Sequence, residues 1–354
     1  MAIRFQYRTQ LPTKAPGPRS PTDPDWQQWI AENLLRGCSQ EGMLETMIRA
    51  GLDARAAQSA ILAMKTQPVF QAALRHQRVQ KKYESVLANL QRLWSSDVRY
   101  KTIERRTSVE TEEFLERYVR GCRPVVLTGI AADWPALKKW TPEYFKAKFG
   151  HVTVEVQAGR SFNPRYELEK HRHSRHMQMS EFVEMVENEH SDNDCYLTAN
   201  NDALGQAALA PLLQDVGSVP AFCDRAKLAG SSFLWFGPRG TVTPLHHDTV
   251  MLLHTQVFGR KRWRFVSPLQ TPCLYNFLSV FSPVDLENPD LAKWPRAADA
   301  QILETEVGPG ETVFLPLGWW HHVTSLETSV SLSYSGFVFP NEFSYDNADN
   351  ADWL

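Results

Sequence analysis

The stretch TPLHHDTVMLLHTQVFGRKRW, residues 243–263, carries three histidines, an aspartate and a lysine in otherwise apolar, β-prone sequence. Burying such groups unpaired is expensive, so something in that interior should neutralise them. His246 and Asp248 stand at i and i+2. At the start of a strand these positions share a face, so both side chains reach one point. A third ligand candidate, His321, follows in LPLGWWHHVTS. Two histidines and one carboxylate make the facial triad that binds non-haem Fe(II) and leaves positions open for a cosubstrate and O2. The spacing alone equally fits hydrogen-bonded core histidines. His254 is a weaker alternative ligand, and His247 points away by parity.

Lys261 adds weight to the metal reading. With Trp263 and Phe265 it shares one face of the strand after Gly259, and those aromatics should point inward. A buried ammonium needs an anionic partner. No carboxylate is adjacent in sequence, so a bound dicarboxylate would supply the charge. The alternative is a lysine whose stem is buried and whose head reaches the rim.

These residues need strands to hold them. RPVVLTG (123–129), VTVEVQAG (152–159), CYLTA (195–199), SFLWFG (232–237), MLLHTQVFG (251–259), KRWRFV (261–266), ETVFLP (311–316) and SVSLSYSGF (329–337) read as strands broken by Gly and Pro. The pattern suggests an antiparallel sandwich or barrel, mainly β with helical additions. The N-terminal part differs. Residues 1–24, rich in proline and basic residues, read as a mobile tail. Asp25, Ser39 and Asp53 can cap three helices ending near Gly37, Ala50 and Met64. Pro68 opens a long helix to about Trp94, whose apolar stripe suits packing on the next domain or a homodimer contact. This gives a helical region over 25–97, a β domain over 98–340 and an acidic tail over 341–354.

Composition narrows the function. The 354 residues are 43% apolar, enough for a core, with net charge -2 and pI near 6.6. This balance gives no argument for nucleic-acid or membrane binding. Five scattered cysteines without a CxxC pair indicate neither a zinc finger nor a disulfide framework and fit a reducing, cytoplasmic setting. The N-terminus lacks the apolar core of a signal peptide, and no apolar run approaches a membrane span.

Together, TPLHHD, the Gly-x-Lys of GRK and LPLGWWHHV resemble the JmjC domain, most closely its hydroxylase-type, cupin-like, factor-inhibiting-HIF-like branch. RPVVLTGIAADWPALKKWTPEYF is similar to the start of such domains, and the resemblance runs roughly from residue 100 to 340. It implies a double-stranded β-helix, the jelly-roll of cupins, and an Fe(II)- and 2-oxoglutarate-dependent oxygenase using O2. By the same resemblance His246, Asp248 and His321 bind iron, His321 being preferred over His322 because the family ligand directly follows the Trp. Lys261 and Thr243 bind the distal carboxylate of 2-oxoglutarate, Tyr196 also reaches it, and Ser333 lines the pocket. Leu252 departs from the pattern, standing where many relatives carry asparagine. His254, at the same strand parity, is the replacement donor.

The basic insert AGRSFNPRYELEKHRHSRHMQMSEF (158–182) reads as a solvated loop at the pocket mouth, since the spacing of its histidines suits no metal. Asn163, Arg165 and Tyr166 are its candidate substrate contacts. Peptide or protein hydroxylation is the leading reading. A small-molecule or nucleotide hydroxylase with the same centre, and a non-catalytic metal-binding interaction protein, are the alternatives. Histone demethylation is less favoured, because no histone-reader module is evident.

Overall fold

A computed structural model describes residues 15–16, 20–188, 192–276 and 279–343. Most of the two segments read as tails, 1–24 and 341–354, lies outside the described residues. The chain divides into two compact units, Met1–Leu87 and Ala88–Leu354.

In the first unit, helices α1 (Pro24–Arg36), α2 (Gln40–Arg49) and α3 (Ala54–Thr66) precede α4 (Pro68–Ser95), which runs on past the unit's end. Ser39 and Asp53 cap as the sequence suggests, accepting from the backbone N–H of Gly42 and Ala56. The first helix starts earlier than expected: Asp23, not Asp25, is the N-cap residue, and Pro24 takes the first turn, where its missing N–H costs nothing. Trp26, Trp29, Ile30, Met43, Met47 and Ile61 form a separate small core.

In the second unit thirteen strands are described. β1 (Glu104–Arg106), β2 (Val125–Leu127), β3 (Thr153–Ala158), β4 (Ser174–Gln178) and β5 (Cys195–Tyr196) precede β6 (Ser232–Gly237), β7 (Val242–His246), β8 (Leu252–Phe258) and β9 (Lys261–Val266). β10 (Ile302–Val307), β11 (Thr312–Leu315), β12 (Trp320–Ser325) and β13 (Ser329–Tyr334) follow. The last eight distribute over two facing sheets. β11-β8-β13-β6 lie in one, extended by β2 and β1, and β10-β9-β12-β7 form the other, with antiparallel pairing among all eight. This is the double-stranded β-helix expected from the sequence.

Strand parity builds the layers. On β11, Val313 and Leu315 cluster with Trp263 and Phe265 of the opposite sheet, whereas Phe314 joins the larger cluster with Phe145, Phe182 and other helical residues. His254 is in register with Val313 on one side and Ser333 on the other, so all three share the face turned to the second sheet. Both faces of the central strands are covered, which explains why MLLHTQVFG is a near-continuous apolar run rather than an alternating one.

Five strands, β1, β4, β7, β10 and β12, lie outside the segments that the sequence pattern picks out. Part of the insert read as a solvated loop is β4, which pairs with β3 along Gln157↔Ser174 to Thr153↔Gln178. Its polar SRHMQ sequence hides it because it is an edge strand with exposed arginine and histidine. β10 is likewise an edge strand, and its Glu304 pairs with Arg264 of β9. Among the described residues all five cysteines are free, and no helix is long and apolar enough to cross a membrane.

Gly259 links β8 to β9 with φ +69°, and a Cβ there would collide with the backbone carbonyl of Thr328. Gly259→Ala should therefore destabilise the second unit by about 2 kcal/mol or more, seen as a lower denaturation midpoint.

Candidate metal centre and anion pocket

His246 and His321 face each other across the β7–β12 pair, in direct register. Their rings lie 4.1 Å apart between centroids. Each Nδ1 meets a backbone carbonyl, His246 that of Pro244 at 2.8 Å and His321 that of Trp319 at 3.1 Å. A carbonyl only accepts, so both Nδ1 atoms carry the proton and both Nε2 atoms present lone pairs. Asp248 completes the group, with its oxygens 3.9 Å from His246 Nε2 and 3.7 Å from His321 Nε2. Among the described residues, this is the one group of three or more such side chains whose ligand atoms all lie within 4.8 Å.

The way Asp248 arrives differs from the expectation. His246 ends β7 rather than starting a strand, and Asp248 lies beyond it, outside any strand. The backbone N–H of His247 donates to the Val280 carbonyl, tying the exit of β7 to the segment carrying Phe281. On the other side the paired tryptophans anchor β12. Trp319 Nε1 donates to the Cys122 carbonyl and Trp320 Nε1 to the Thr271 hydroxyl. Those opposed anchors fix which face His321 takes.

The neighbouring histidines are left out. His247 packs edge-on against Trp320, and His322 lies on the face of Arg264 and Glu287. His254 sits between Trp235 and Trp263, the latter 4.9 Å away. Burial, with Lys261 nearby, holds it well below the ordinary histidine range. His171, His173 and His176 form no cluster with ligand spacing; His173 pairs with the Asn163 amide.

Lys261 is buried to 1% exposure, and its Nζ donates to the Tyr196 hydroxyl at 3.1 Å. No carboxylate among the described residues pairs with it, and burial pushes its ammonium down to about 7. Thr243 and Arg160 lie beside Tyr196 and oppose the upward push that burial exerts on its phenol. Gly237 lets the Tyr196 ring come close, since a Cβ there would stand 2.6 Å from its Cδ2. The Ser333 hydroxyl accepts from Trp235 Nε1 at 2.8 Å, so this serine positions a pocket tryptophan. Leu252 packs on the apolar cluster of Trp263 and Leu315. Of the insert's candidates, Asn163 bonds to Glu169 and His173, Tyr166 donates to the Val242 carbonyl, and Arg165 stays half-exposed beside Glu169. Sequence reading missed Arg160, a buried cation whose only signal is its place just past the apolar strand β3.

A model of the Cupin-like domain matches residues 110–335. The chain belongs to the cupin-like JmjC family. Lysine-specific demethylase 8 of Xenopus tropicalis is 34% identical over 236 residues, which is 63% of this chain and 50% of that protein. Lysine-specific demethylase JMJ30 of Arabidopsis thaliana is 32% identical over 268 residues, 70% of this chain and 59% of that protein. Jumonji C domain-containing protein 5 of Drosophila melanogaster is 28% identical over 235 residues, 63% of this chain and 57% of that protein. The chain thus spans little more than half the length of these relatives.

The residues fit the groups that this family implies. Two lone pairs and one carboxylate suit a divalent iron with open positions. Near it Lys261 meets no anion among the described residues, and two buried ring nitrogens, His254 Nε2 and Trp263 Nε1, have no protein partner. A polar, anionic cosubstrate would satisfy what the protein leaves open.

Asp248→Ala should weaken Fe(II) or Co(II) binding by more than the roughly 10- to 100-fold typical of outer-shell losses, whereas His322→Gln should leave it unchanged; metal titration monitored by absorbance checks both. For Lys261 the sign is fixed by its depressed value. Above about pH 7 the free pocket holds a neutral amine, and pairing with a carboxylate restores the proton. Dicarboxylate affinity should therefore fall as pH rises from 7 toward the ordinary lysine range, with proton uptake on binding at pH 8. Calorimetry in buffers of different ionisation enthalpy reads this, and absence of uptake removes Lys261 from the role.

Proposed function

We propose that the chain is an Fe(II)- and 2-oxoglutarate-dependent oxygenase that hydroxylates a C–H bond in a side chain of a peptide or protein. The observation that carries this reading is a three-ligand centre joined to a buried, anion-free lysine through Trp263, which stacks on His321 and meets His254, itself within the field of Lys261. His246, Asp248 and His321 would hold the iron. Lys261, with Tyr196 and Thr243, would hold the distal carboxylate of 2-oxoglutarate, and His254 would offer a further hydrogen bond in place of the asparagine that Leu252 lacks. The bound iron would supply the oxidising chemistry, with 2-oxoglutarate and O2 yielding succinate and CO2 while C–H becomes C–OH.

The chain's own residues do the rest. The imidazole Nδ1 bonds keep both histidines in one tautomer and orientation. The aromatic walls, Trp235 and Trp263, keep water from the carboxylate end and strengthen its pairing with Lys261. Arg165, which keeps an exposed side chain beside Glu169, is our candidate for meeting an acidic or polar substrate group at the mouth. Five free cysteines support a reducing, cytoplasmic setting.

A second reading has specific support: the relatives above include proteins named lysine-specific demethylases. Hydroxylation of an N-methyl carbon gives a carbinolamine that loses formaldehyde, so both outcomes share the first chemical step. They differ in which carbon is presented.

Anaerobically purified protein, given Fe(II), 2-oxoglutarate and O2, should form succinate, and Asp248→Ala should form none. Peptide libraries with and without N-methylated lysine and arginine then separate the readings. A stable gain of one oxygen supports hydroxylation, and formaldehyde release supports demethylation. Failure of the metal-loaded protein to bind 2-oxoglutarate would sink the oxygenase reading and leave a non-catalytic binding module. Succinate formation stimulated only by a metabolite would favour a small-molecule hydroxylase.

A further inference from the structure

Among the described residues, one other cation is as deeply buried as Lys261. Arg160, just past Gly159 at the end of β3, is 1% exposed. Its Nη2 donates twice, to the Glu167 carboxylate at 3.1 Å and to the Val242 carbonyl at 3.0 Å. The guanidinium lies 4.3 Å from the Tyr166 ring centroid and 5.3 Å from that of Tyr196. Tyr166 donates to the same Val242 carbonyl at 3.2 Å, while the Val242 N–H donates to Asn193 at 2.9 Å.

Val242 is the first residue of β7. The next residue is Thr243, and the strand ends at His246. Tyr196 is the phenol that accepts from Lys261. One guanidinium thus touches both protein elements that flank the lysine. Glu167 neutralises it locally, so it does not add a second uncompensated positive charge beside Lys261. Its Nε and Nη1 have no protein partner. A buried arginine kept with two donor nitrogens unsatisfied calls for a reason beyond packing.

We propose that Arg160 is a positioning residue for the cosubstrate carboxylate: held by Glu167, it pins the start of β7 and the ring of Tyr196, and so sets Thr243 and Tyr196 against Lys261. The proposal rests on the oxygenase reading. It gives the basic insert a task different from substrate contact, since Tyr166 and Glu167 serve the clamp. A planar guanidinium can bridge a carboxylate and a carbonyl while stacking on two rings; an ammonium cannot do all of these.

The test uses full-length protein loaded with Mn(II) without O2, titrated with 2-oxoglutarate in a calorimeter. Arg160→Gln should weaken 2-oxoglutarate binding about 10-fold or more, as expected for losing a charge-assisted contact, while Mn(II) affinity stays at the wild-type value. Arg160→Lys should recover part of the loss. Tyr166→Phe, which keeps the cation and deletes one bond to Val242, should give a smaller loss of the same kind and carries the test if Arg160→Gln fails to fold. In turnover, KM for 2-oxoglutarate should rise with kcat little changed. The exposed Arg175→Ala should change nothing. Unchanged 2-oxoglutarate affinity in Arg160→Gln, beside a loss in Lys261→Met, overturns the proposal and spares the oxygenase reading. A parallel fall in Mn(II) affinity and melting temperature reduces Arg160 to a structural brace. Absence of binding by wild type overturns both.

Discussion

The register between β7 and β12 is the constraint on which the site depends. His246 meets His321 directly across this pair, and only that pairing turns both imidazoles to one point. A slip of one residue would send one ring to the opposite face of the sheet, because side-chain direction alternates with every residue. β12 also pairs with β9, where Val323 opposes Trp263 and Ser325 opposes Lys261. The same strand therefore sets His321 beside His246 on one edge and Ser325 beside Lys261 on the other. The register is held by apolar contacts, since Trp263, Phe265, Val323 and Trp319 share one cluster between the sheets. The chemistry of the site is positioned by residues with no chemistry of their own.

Much of this was legible in the sequence. The ligand triad, the inward lysine and the barrel all leave local signals: an i, i+2 pair, a lysine in phase with two aromatics, and short strands punctuated by glycine and proline. What stayed hidden depends on pairing between distant segments. β4 and β10 are edge strands whose polar residues remove the alternation by which a strand is recognised. The arrival of Asp248 from beyond the strand end follows from the tie between His247 and Val280, which no local pattern encodes. The roles of Ser333 and Arg160 depend on Trp235 and Val242 reaching them across the fold. A serine on a strand and an arginine after one are ordinary in sequence.

Two deeply buried cations, Arg160 and Lys261, show how the interior divides its electrostatic load. Arg160 has Glu167 beside it and two tyrosine rings against it, so its charge is matched within the protein. Lys261 has the Tyr196 hydroxyl and, near its Nζ, the rings of Tyr196 and Trp235, which solvate an ammonium poorly. Had the fold been shaped for stability alone, a carboxylate near Lys261 or an apolar residue in its place would serve better. A lysine this deeply buried without a carboxylate beside it departs from the rule that buried charges are paired, a departure expected where a protein meets a ligand. The mismatch would also give selectivity: a lysine that burial brings down to about 7 regains its proton beside a group carrying negative charge, and gains little from a neutral or cationic one.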